Sequence, residues 1–219
     1  MTELADMTLD ELRPVLAAAL PADAAFDGWT PKALEATAAR LKVDHRVAFL
    51  AFPGGALDMI DAWFASIDDE MRARMPKDTL AGMKIRERIA SQVETRMEIV
   101  APWREALRRA HAILAMPQNA PHALKLGWRS ADTMWRQAGD TATDYNHYTK
   151  RAILGGVYAA TMLVFIDDES EGFAETRAFL NRRIEGIMRF EKAKARVLSG
   201  PAIGFSPARF LGRLRYPAR

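Results

Sequence analysis

Apolar residues recur at steps of three and four through most of this 219-residue chain. Such spacing places them on one face of a helix, whereas a half-buried strand would alternate apolar and polar residues, and no segment alternates cleanly. Local signals divide the pattern into separate helices. Thr30 and Pro31 indicate a start, and Pro53 with two following glycines indicates a stop. The sequence therefore predicts an all-α fold.

Other local signals predict where further helices begin and end. Thr8 and Asp44 are expected to cap helices, and Pro21 is expected to close the first one. One long amphipathic helix is expected after Pro76. The Ala138-Gly139 pair should end a helix that Pro121 opens, and a capping box of Thr141 and Asp144 predicts the next helix over residues 142–167.

Composition limits the class of protein. A chain of this length that is 49% hydrophobic can bury a core as one body or as two small ones. Because the chain has no cysteine, disulfides, cysteine-ligated zinc, iron–sulfur clusters and thiol catalysis are excluded. The acidic N-terminus lacks the pattern of a secretory or transit peptide, so we expect a cytoplasmic protein.

The longest apolar run covers residues 152–166 and has no polar face. It is shorter than the roughly 20 residues that span a bilayer, so a buried helix is expected. A helix that is apolar on every side must be enclosed. Two interpretations stay open, an ordinary core helix and a core helix that also lines a lipid pocket.

The first three helices end near Phe52 and have the spacing of a helix-turn-helix, with a tight turn at residues 41–43. The second helix of that motif offers only His45 and Arg46 as polar contacts, and residues 47–52 are apolar. Reading bases and anchoring phosphates requires more cations and amides than this. The motif is therefore predicted to be a scaffold.

Ionisable and aromatic residues are concentrated at residues 132–151. Asp144, His147, Tyr148 and Arg151 share one helix face by their spacing. A metal or acid–base site is one interpretation, but a di-iron bundle needs a Glu-x-x-His motif on two helices and further glutamates. The chain supplies a single Asp-x-x-His, so we predict no metal, no cofactor and no catalytic residue. A face that contacts a partner is the favoured interpretation.

The C-terminal tail, residues 199–219, combines four arginines with aromatic and aliphatic residues and contains no acid. It suits either an amphipathic helix on an anionic membrane or a solvated flexible tail. The predicted membrane-binding residues are Phe205, Arg209, Phe210, Arg213 and Leu214.

Several motifs together resemble the ubiquinone-biosynthesis accessory family usually called the Coq-nine family, over most of the chain. The most specific are Asp132-x-x-Trp135-x-x-Ala138-Gly139-Asp140 and Asp144-x-Asn146-x-Tyr148-x-Lys150-Arg151. Supporting pieces are Phe26-Asp27-Gly28-Trp29, Phe52-Pro53-Gly54-Gly55, Arg86-x-Arg88-Ile89 and Phe179-Leu180-x-x-Arg183. One position departs from the family, because members commonly carry Trp where this chain has His147.

The resemblance implies a TetR-like homodimer that has lost DNA binding and holds an isoprenoid lipid in its C-terminal part. Such a protein presents a quinone precursor to a di-iron hydroxylase at the membrane and performs no chemistry itself. We therefore expect a location in the cytoplasm, peripheral to the inner membrane. The expected parts are a helix-turn-helix-like unit over residues 1–75, a lipid-binding helical domain over residues 76–198, and the tail.

Two groups of site residues follow from this hypothesis. The predicted lipid-binding residues are Trp128, Leu154, Val157, Tyr158, Thr161, Met162 and Phe165. The predicted partner-binding residues are Met134, Trp135, Asp144, His147, Tyr148 and Arg151. The alternatives are a TetR-type transcriptional regulator with a small-molecule pocket, and an enzyme that uses Asp144 and His147.

Overall fold

The computed structural model describes residues 4–141, 143 and 145–199, without the side chains of residues 5, 145, 146, 188 and 190–199. Every regular element in those ranges is helical, which confirms the all-α prediction. The α-helices are α1 Leu9–Ala19, α2 Pro21–Asp27, α3 Pro31–Leu41, α4 His45–Ala51, α5 Gly55–Arg74, α6 Lys77–Ala81, α7 Ile85–Val100, α8 Arg104–Leu114, α9 Ala120–Gln137, α10 Tyr145–Asp167 and α11 Ala174–Ser199.

The chain divides into two compact units, Met1–Asn181 and Arg182–Arg219. Helices α1 to α10 and the first turns of α11 belong to the first unit. In the second unit the remainder of α11 carries an ion pair between Glu185 and Arg189, one turn apart. The functional boundaries predicted after residues 75 and 198 stay predictions.

The caps predicted at the starts of α1, α3 and α4 are confirmed, whereas the capping box predicted for Thr141 and Asp144 involves a residue outside the described ranges. Thr8 and Glu11 form a reciprocal capping box, and the side chains of Thr30 and Asp44 accept backbone N–H bonds at the starts of α3 and α4. The first helix ends at Ala19, just before Pro21, as predicted, but Pro21 also opens a further helix that the sequence patterns did not indicate. Because proline needs no hydrogen-bond partner in a first turn, it opens α2 directly after α1.

The long helix predicted after Pro76 is interrupted. The short helix α6 ends before Gly82, and α7 begins only at Ile85. Arg88 helps to fix this break, because its guanidinium bonds the carbonyls of Ala81 and Met83, both at 2.9 Å.

The helix-turn-helix spacing is present in the N-terminal part. Lys42 adopts a left-handed conformation (φ 58°) between α3 and α4, and α4 meets α5 at an angle of 78°. Trp29 connects this N-terminal part to α5 and α8. Its ring lies 5.1 Å from that of Trp63, and its Nε1 donates to the carbonyl of Ala106 at 2.9 Å.

Helices α9 and α10 run antiparallel and approach each other at small residues. A Cβ at Gly155 would lie 3.6 Å from the carbonyl oxygen of Gly127, which shows how near the two backbones come. Trp135 Nε1 donates to the carbonyl of Lys150 further along the same contact. The pair therefore forms one packed layer, and α7 and α8 also contact α10.

The prediction that α10 is enclosed on every side was wrong. One face is buried, through Leu154, Tyr158, Met162 and Phe165, but the opposite face reaches the surface and Leu163 is 58% exposed. The length argument was wrong as well, since His147–Asp167 is long and apolar enough to cross a membrane, with 39% of its apolar window buried. Composition could not reveal the exposed face, because both faces are apolar.

Candidate functional site

We call residues 132–151 the corner, since they comprise the end of α9, its connection to α10 and the start of α10. The corner is built on a glycine turn. Gly139 has a left-handed backbone (φ 92°). The N–H groups of Gly139 and Asp140 donate to the carbonyls of Arg136 and Trp135, so that the last turn of α9 is capped. This turn reverses the chain and brings the start of α10 back against the end of α9.

A network of ion pairs joins the two sides of the corner. Arg151 is 2% exposed and bonds two carboxylates, with Nε 2.6 Å from Asp132 and Nη1 3.0 Å from Asp140. Lys150 Nζ lies 2.7 Å from Asp140. Burial opposes ionisation of Asp140, but the bonds from Lys150 and Arg151 outweigh it and hold the pKa of Asp140 below its ordinary value. These charges satisfy one another and hold the corner together.

Residues outside the corner fasten it to the rest of the bundle. Arg88 Nη1 donates to the carbonyl of Ala138 at 2.8 Å, and Gln92 Nε2 donates to that of Met134 at 3.1 Å. Gln137 donates to the carbonyl of Met75 at the end of α5. Sequence reasoning missed these roles of Gln92 and Gln137. The available signal was the position of Gln92 one turn after Arg88 and one turn before Arg96, which puts three polar side chains on one helix face.

Three rings form an aromatic cluster where α10 begins. The Trp128 ring lies 6.3 Å from that of His147 and 6.0 Å from that of Tyr148, and the last two are 5.1 Å apart. Tyr148 is 61% exposed, whereas the other two are half-buried. Lys150 Nζ lies 5.3 Å from the ring centre of Trp135, also half-buried. Rings and cations therefore reach the surface together here.

The other predicted partner-binding residues occupy different positions. Met134 is fully buried and Arg151 nearly so, and neither side chain is available at the surface to contact a partner. Asp144 lies outside the described residues. The predicted contact role of the set stays a prediction, and the structure gives Arg151 a structural role within it.

Most of the predicted lipid-binding residues are brought together on the inner face of α10. Leu154, Tyr158, Thr161, Met162 and Phe165 are buried, and Val157 is half-buried beside them. Thr161 satisfies its hydroxyl within the helix by donating to the carbonyl of Val157. Trp128 instead joins the aromatic cluster. The inner face is thus apolar along four helical turns.

A buried ion pair between α5 and α7 lies next to that inner face. Arg96 is fully buried, bonds Asp68, and donates to Ser130 Oγ at 3.1 Å. The guanidinium lies 4.8 Å from the ring centre of Tyr158. Asp68 also lies 3.6 Å from Arg129. Local sequence patterns did not indicate this pair, because the partners are 28 residues apart.

The remaining predictions concern metal and membrane. Among the described residues no group of three or more His, Asp or Glu side chains could hold a metal ion. The predicted membrane-binding residues of the tail, Phe205, Arg209, Phe210, Arg213 and Leu214, lie outside the described residues.

Comparison with protein families matches the segment that contains the corner. The model of the COQ9 family matches residues 120–191, which include all of α9 and α10. Rat ubiquinone biosynthesis protein COQ9, mitochondrial, is 33% identical over 167 residues, covering 74% of this chain and 54% of that protein. The human protein of the same name is 43% identical over 96 residues, covering 44% of this chain and 30% of that protein. The chain spans about half the length of the first of these relatives, and less of the second.

Comparison with solved structures gives the fold. The crystal structure of a TetR transcriptional regulator from Nitrosomonas europaea superposes with a TM-score of 0.63 at 23% identity. The match covers 80% of this chain and 97% of that one. The predicted TetR-like fold is therefore confirmed.

Proposed function

Since the chain belongs to the COQ9 family of ubiquinone biosynthesis proteins, we propose that it is a non-enzymatic accessory protein that binds an isoprenoid quinone precursor and presents it to a hydroxylase. The observation that carries this proposal is the family match over α9 and α10. Those helices combine an apolar inner face with a surface of rings and cations, as lipid binding and partner contact require.

The inner face of α10 is the proposed lipid site. Leu154, Val157, Met162 and Phe165 provide apolar contacts for an isoprenoid chain, and Tyr158 lies where the apolar face meets Arg96. Burial of an isoprenoid against such side chains is favourable by about 0.8 kcal/mol for each CH₂ group removed from water. The half-buried Val157 borders the site on the side nearer to solvent.

The aromatic cluster is the proposed partner surface. Tyr148 supplies the exposed ring, and His147, Trp128 and Trp135 extend the surface at its edges. Met134 and Arg151 are buried, so neither side chain contacts the partner itself. Following the family resemblance, the proposed partner is a di-iron hydroxylase that acts on the ring of the quinone precursor.

Assembly and location form part of the same proposal. The exposed stripe of α10, formed by Ala152, Gly156, Ala159 and Leu163, is the proposed contact of a homodimer. Apolar surfaces of this kind mark interaction sites in soluble proteins. The rat and human relatives carry the word mitochondrial in their names, and for this chain we propose a cytoplasmic location, peripheral to the inner membrane.

An uptake experiment with two matched variants tests the lipid site. Val157→Trp adds bulk at the edge of the inner face, whereas Leu163→Trp adds the same bulk on the outer face of the same helix. Uptake of a prenylated phenol by the full-length protein should fall only in Val157→Trp. Equal uptake by both variants, or no uptake by the wild-type protein, would contradict the proposed site.

The likeness to a TetR regulator supports a second candidate, a transcriptional regulator with a small-molecule pocket. Helix α4 would then read DNA through His45 and Arg46, which are exposed beside Leu50 (66% exposed). DNA retention that falls steeply with salt and weakens in Arg46→Ala would favour the regulator. Lack of retention at low salt would exclude it.

A further inference from the structure

The end of the bundle that carries the corner also carries a second surface, residues 75–86, here named the basic loop. The loop connects α5 to α7 and includes the short helix α6. It is fastened to the corner at two points, because Gln137 bonds the carbonyl of Met75 and Arg88 bonds carbonyls of both the loop and Ala138. The loop is therefore a defined surface that is held against the end of α9 in the corner.

The side chains of the basic loop combine an exposed aliphatic residue with cations. Ile85 is 48% exposed, and the neighbouring Lys84 and Arg86 are exposed on either side of it. Lys77 adds a third exposed cation, against Asp78 as the one acid of the loop. Arg86 forms an exposed ion pair with Glu87 at 3.6 Å, so the three cations face two acids, Asp78 and Glu87, and remain in excess.

The apolar residues of the loop are not all exposed, as a comparison of Leu80 with Ile85 shows. Leu80 is 1% exposed and anchors the loop in the core. Ile85 is the first residue of α7. Helix formation at that position does not require its side chain to face the solvent. An aliphatic side chain held in water between two cations matches the pattern of surfaces that insert shallowly into a lipid interface.

We propose that the basic loop binds the surface of an anionic phospholipid bilayer. Ile85 enters the boundary between headgroups and acyl chains, and Lys77, Lys84 and Arg86 contact the lipid phosphates. Charge complementarity favours this occupant, since each cation near such a surface adds to the attraction. The contact is separate from the predicted membrane role of the tail and does not rest on the lipid site. It would place the end of α9 close to the bilayer.

A single-cysteine probe tests the insertion directly, because the chain has no cysteine of its own. Full-length Ile85→Cys is labelled with an environment-sensitive fluorophore and mixed with vesicles of phosphatidylcholine, with and without phosphatidylglycerol. The emission should shift to the blue and become protected from an aqueous quencher only with phosphatidylglycerol. Leu50→Cys, on the exposed face of α4, is the matched control and should not change. A label at residue 85 that stays in water while the protein sediments with vesicles overturns the proposal.

Charge substitutions test the cations. Lys84→Gln and Arg86→Gln should each lower partitioning into the anionic vesicles about fivefold. Lys125→Gln, an exposed lysine of α9, is the control and should bind as the wild-type protein does. If Lys84→Gln and Arg86→Gln bind normally while Arg209→Gln with Arg213→Gln abolishes binding, the tail alone makes the contact and the proposal for the loop is wrong. Loss of binding in Lys125→Gln to the same degree would also contradict it.

Discussion

The guanidinium of Arg151 lies 3.0 Å from a carboxylate oxygen of Asp140, the residue that follows Gly139 in the turn between α9 and α10. The same guanidinium also bonds Asp132, so one buried cation links the end of α9, the turn and the start of α10. The charges are therefore crowded in the corner because they hold α9, the turn and α10 together. Its exposed rings are held on a fixed support, which a partner surface requires.

Replacing Arg151 should destabilise the fold far more than replacing Arg136, although both arginines pair with Asp132. Arg151→Leu leaves Asp140 buried without one of its cations and should lower the free energy of unfolding by about 2–3 kcal/mol. Arg136 also pairs with Asp132 but is 71% exposed, so Arg136→Leu should cost less than about 1 kcal/mol. Urea unfolding of both variants measures the difference. Equal costs would contradict the structural role of Arg151.

Asp168 should make the free energy of unfolding depend on pH in the acidic range. Burial opposes its ionisation, but bonds from Ser170 and Thr176 outweigh it and lower the pKa of Asp168 to about 2 from 3.8. Because the folded pKa lies below the unfolded one, this contribution is present above about pH 4 and is lost as the pH falls towards 2. Denaturant unfolding across that range should show a weaker pH dependence in Asp168→Asn. An identical pH dependence in both proteins would contradict this.

The buried pair of Arg96 and Asp68 should cost more to break than to replace as a whole. Arg96→Met leaves the buried Asp68 carboxylate with Arg129 alone, at 3.6 Å, and should destabilise the protein by about 3 kcal/mol. The double variant Arg96→Met with Asp68→Leu should recover more than half of that loss, since no buried charge of the pair remains. A double-mutant cycle by thermal or urea unfolding measures this coupling. Additive effects would show that the two side chains act independently.

The exposed stripe of α10 should control the oligomeric state. Leu163 is 58% exposed and is the largest apolar side chain of the proposed dimer contact, so Leu163→Arg should shift the protein from dimer to monomer in sedimentation experiments. Leu50→Arg introduces the same charge at a similarly exposed leucine of α4 and should leave the dimer intact. A wild-type protein that sediments as a monomer, or an unchanged dimer in Leu163→Arg, would contradict the proposed contact.

Local features of the fold could be predicted, whereas distant ones could not. Thr8 and Thr30 were identified as caps because capping depends on neighbouring residues only. Pro21 was recognised only as the end of the first helix, and its role as the start of α2 was missed, because proline suits both positions. The exposure of Leu163 depends on which helices cover α10, and its apolar neighbours in sequence conceal that.

The location of the candidate site was predicted from the sequence, but the functions of its individual residues were not. The crowding of charges and rings indicated the corner, but not that Arg151 would turn inwards to bond Asp132 and Asp140. That arrangement depends on the left-handed backbone of Gly139, which sets the direction of α10. The support from Arg88 comes from 50 residues away, a distance that local patterns do not encode.

The most direct measurement of the proposed function is organic extraction of the purified full-length protein, followed by mass spectrometry of the extract. We predict a prenylated phenol or quinone in near-stoichiometric amount, reduced in Val157→Trp and retained in Leu163→Trp. A protein that yields no such lipid, and that also fails to take up added quinone precursor, would contradict the proposal that this chain carries a quinone precursor.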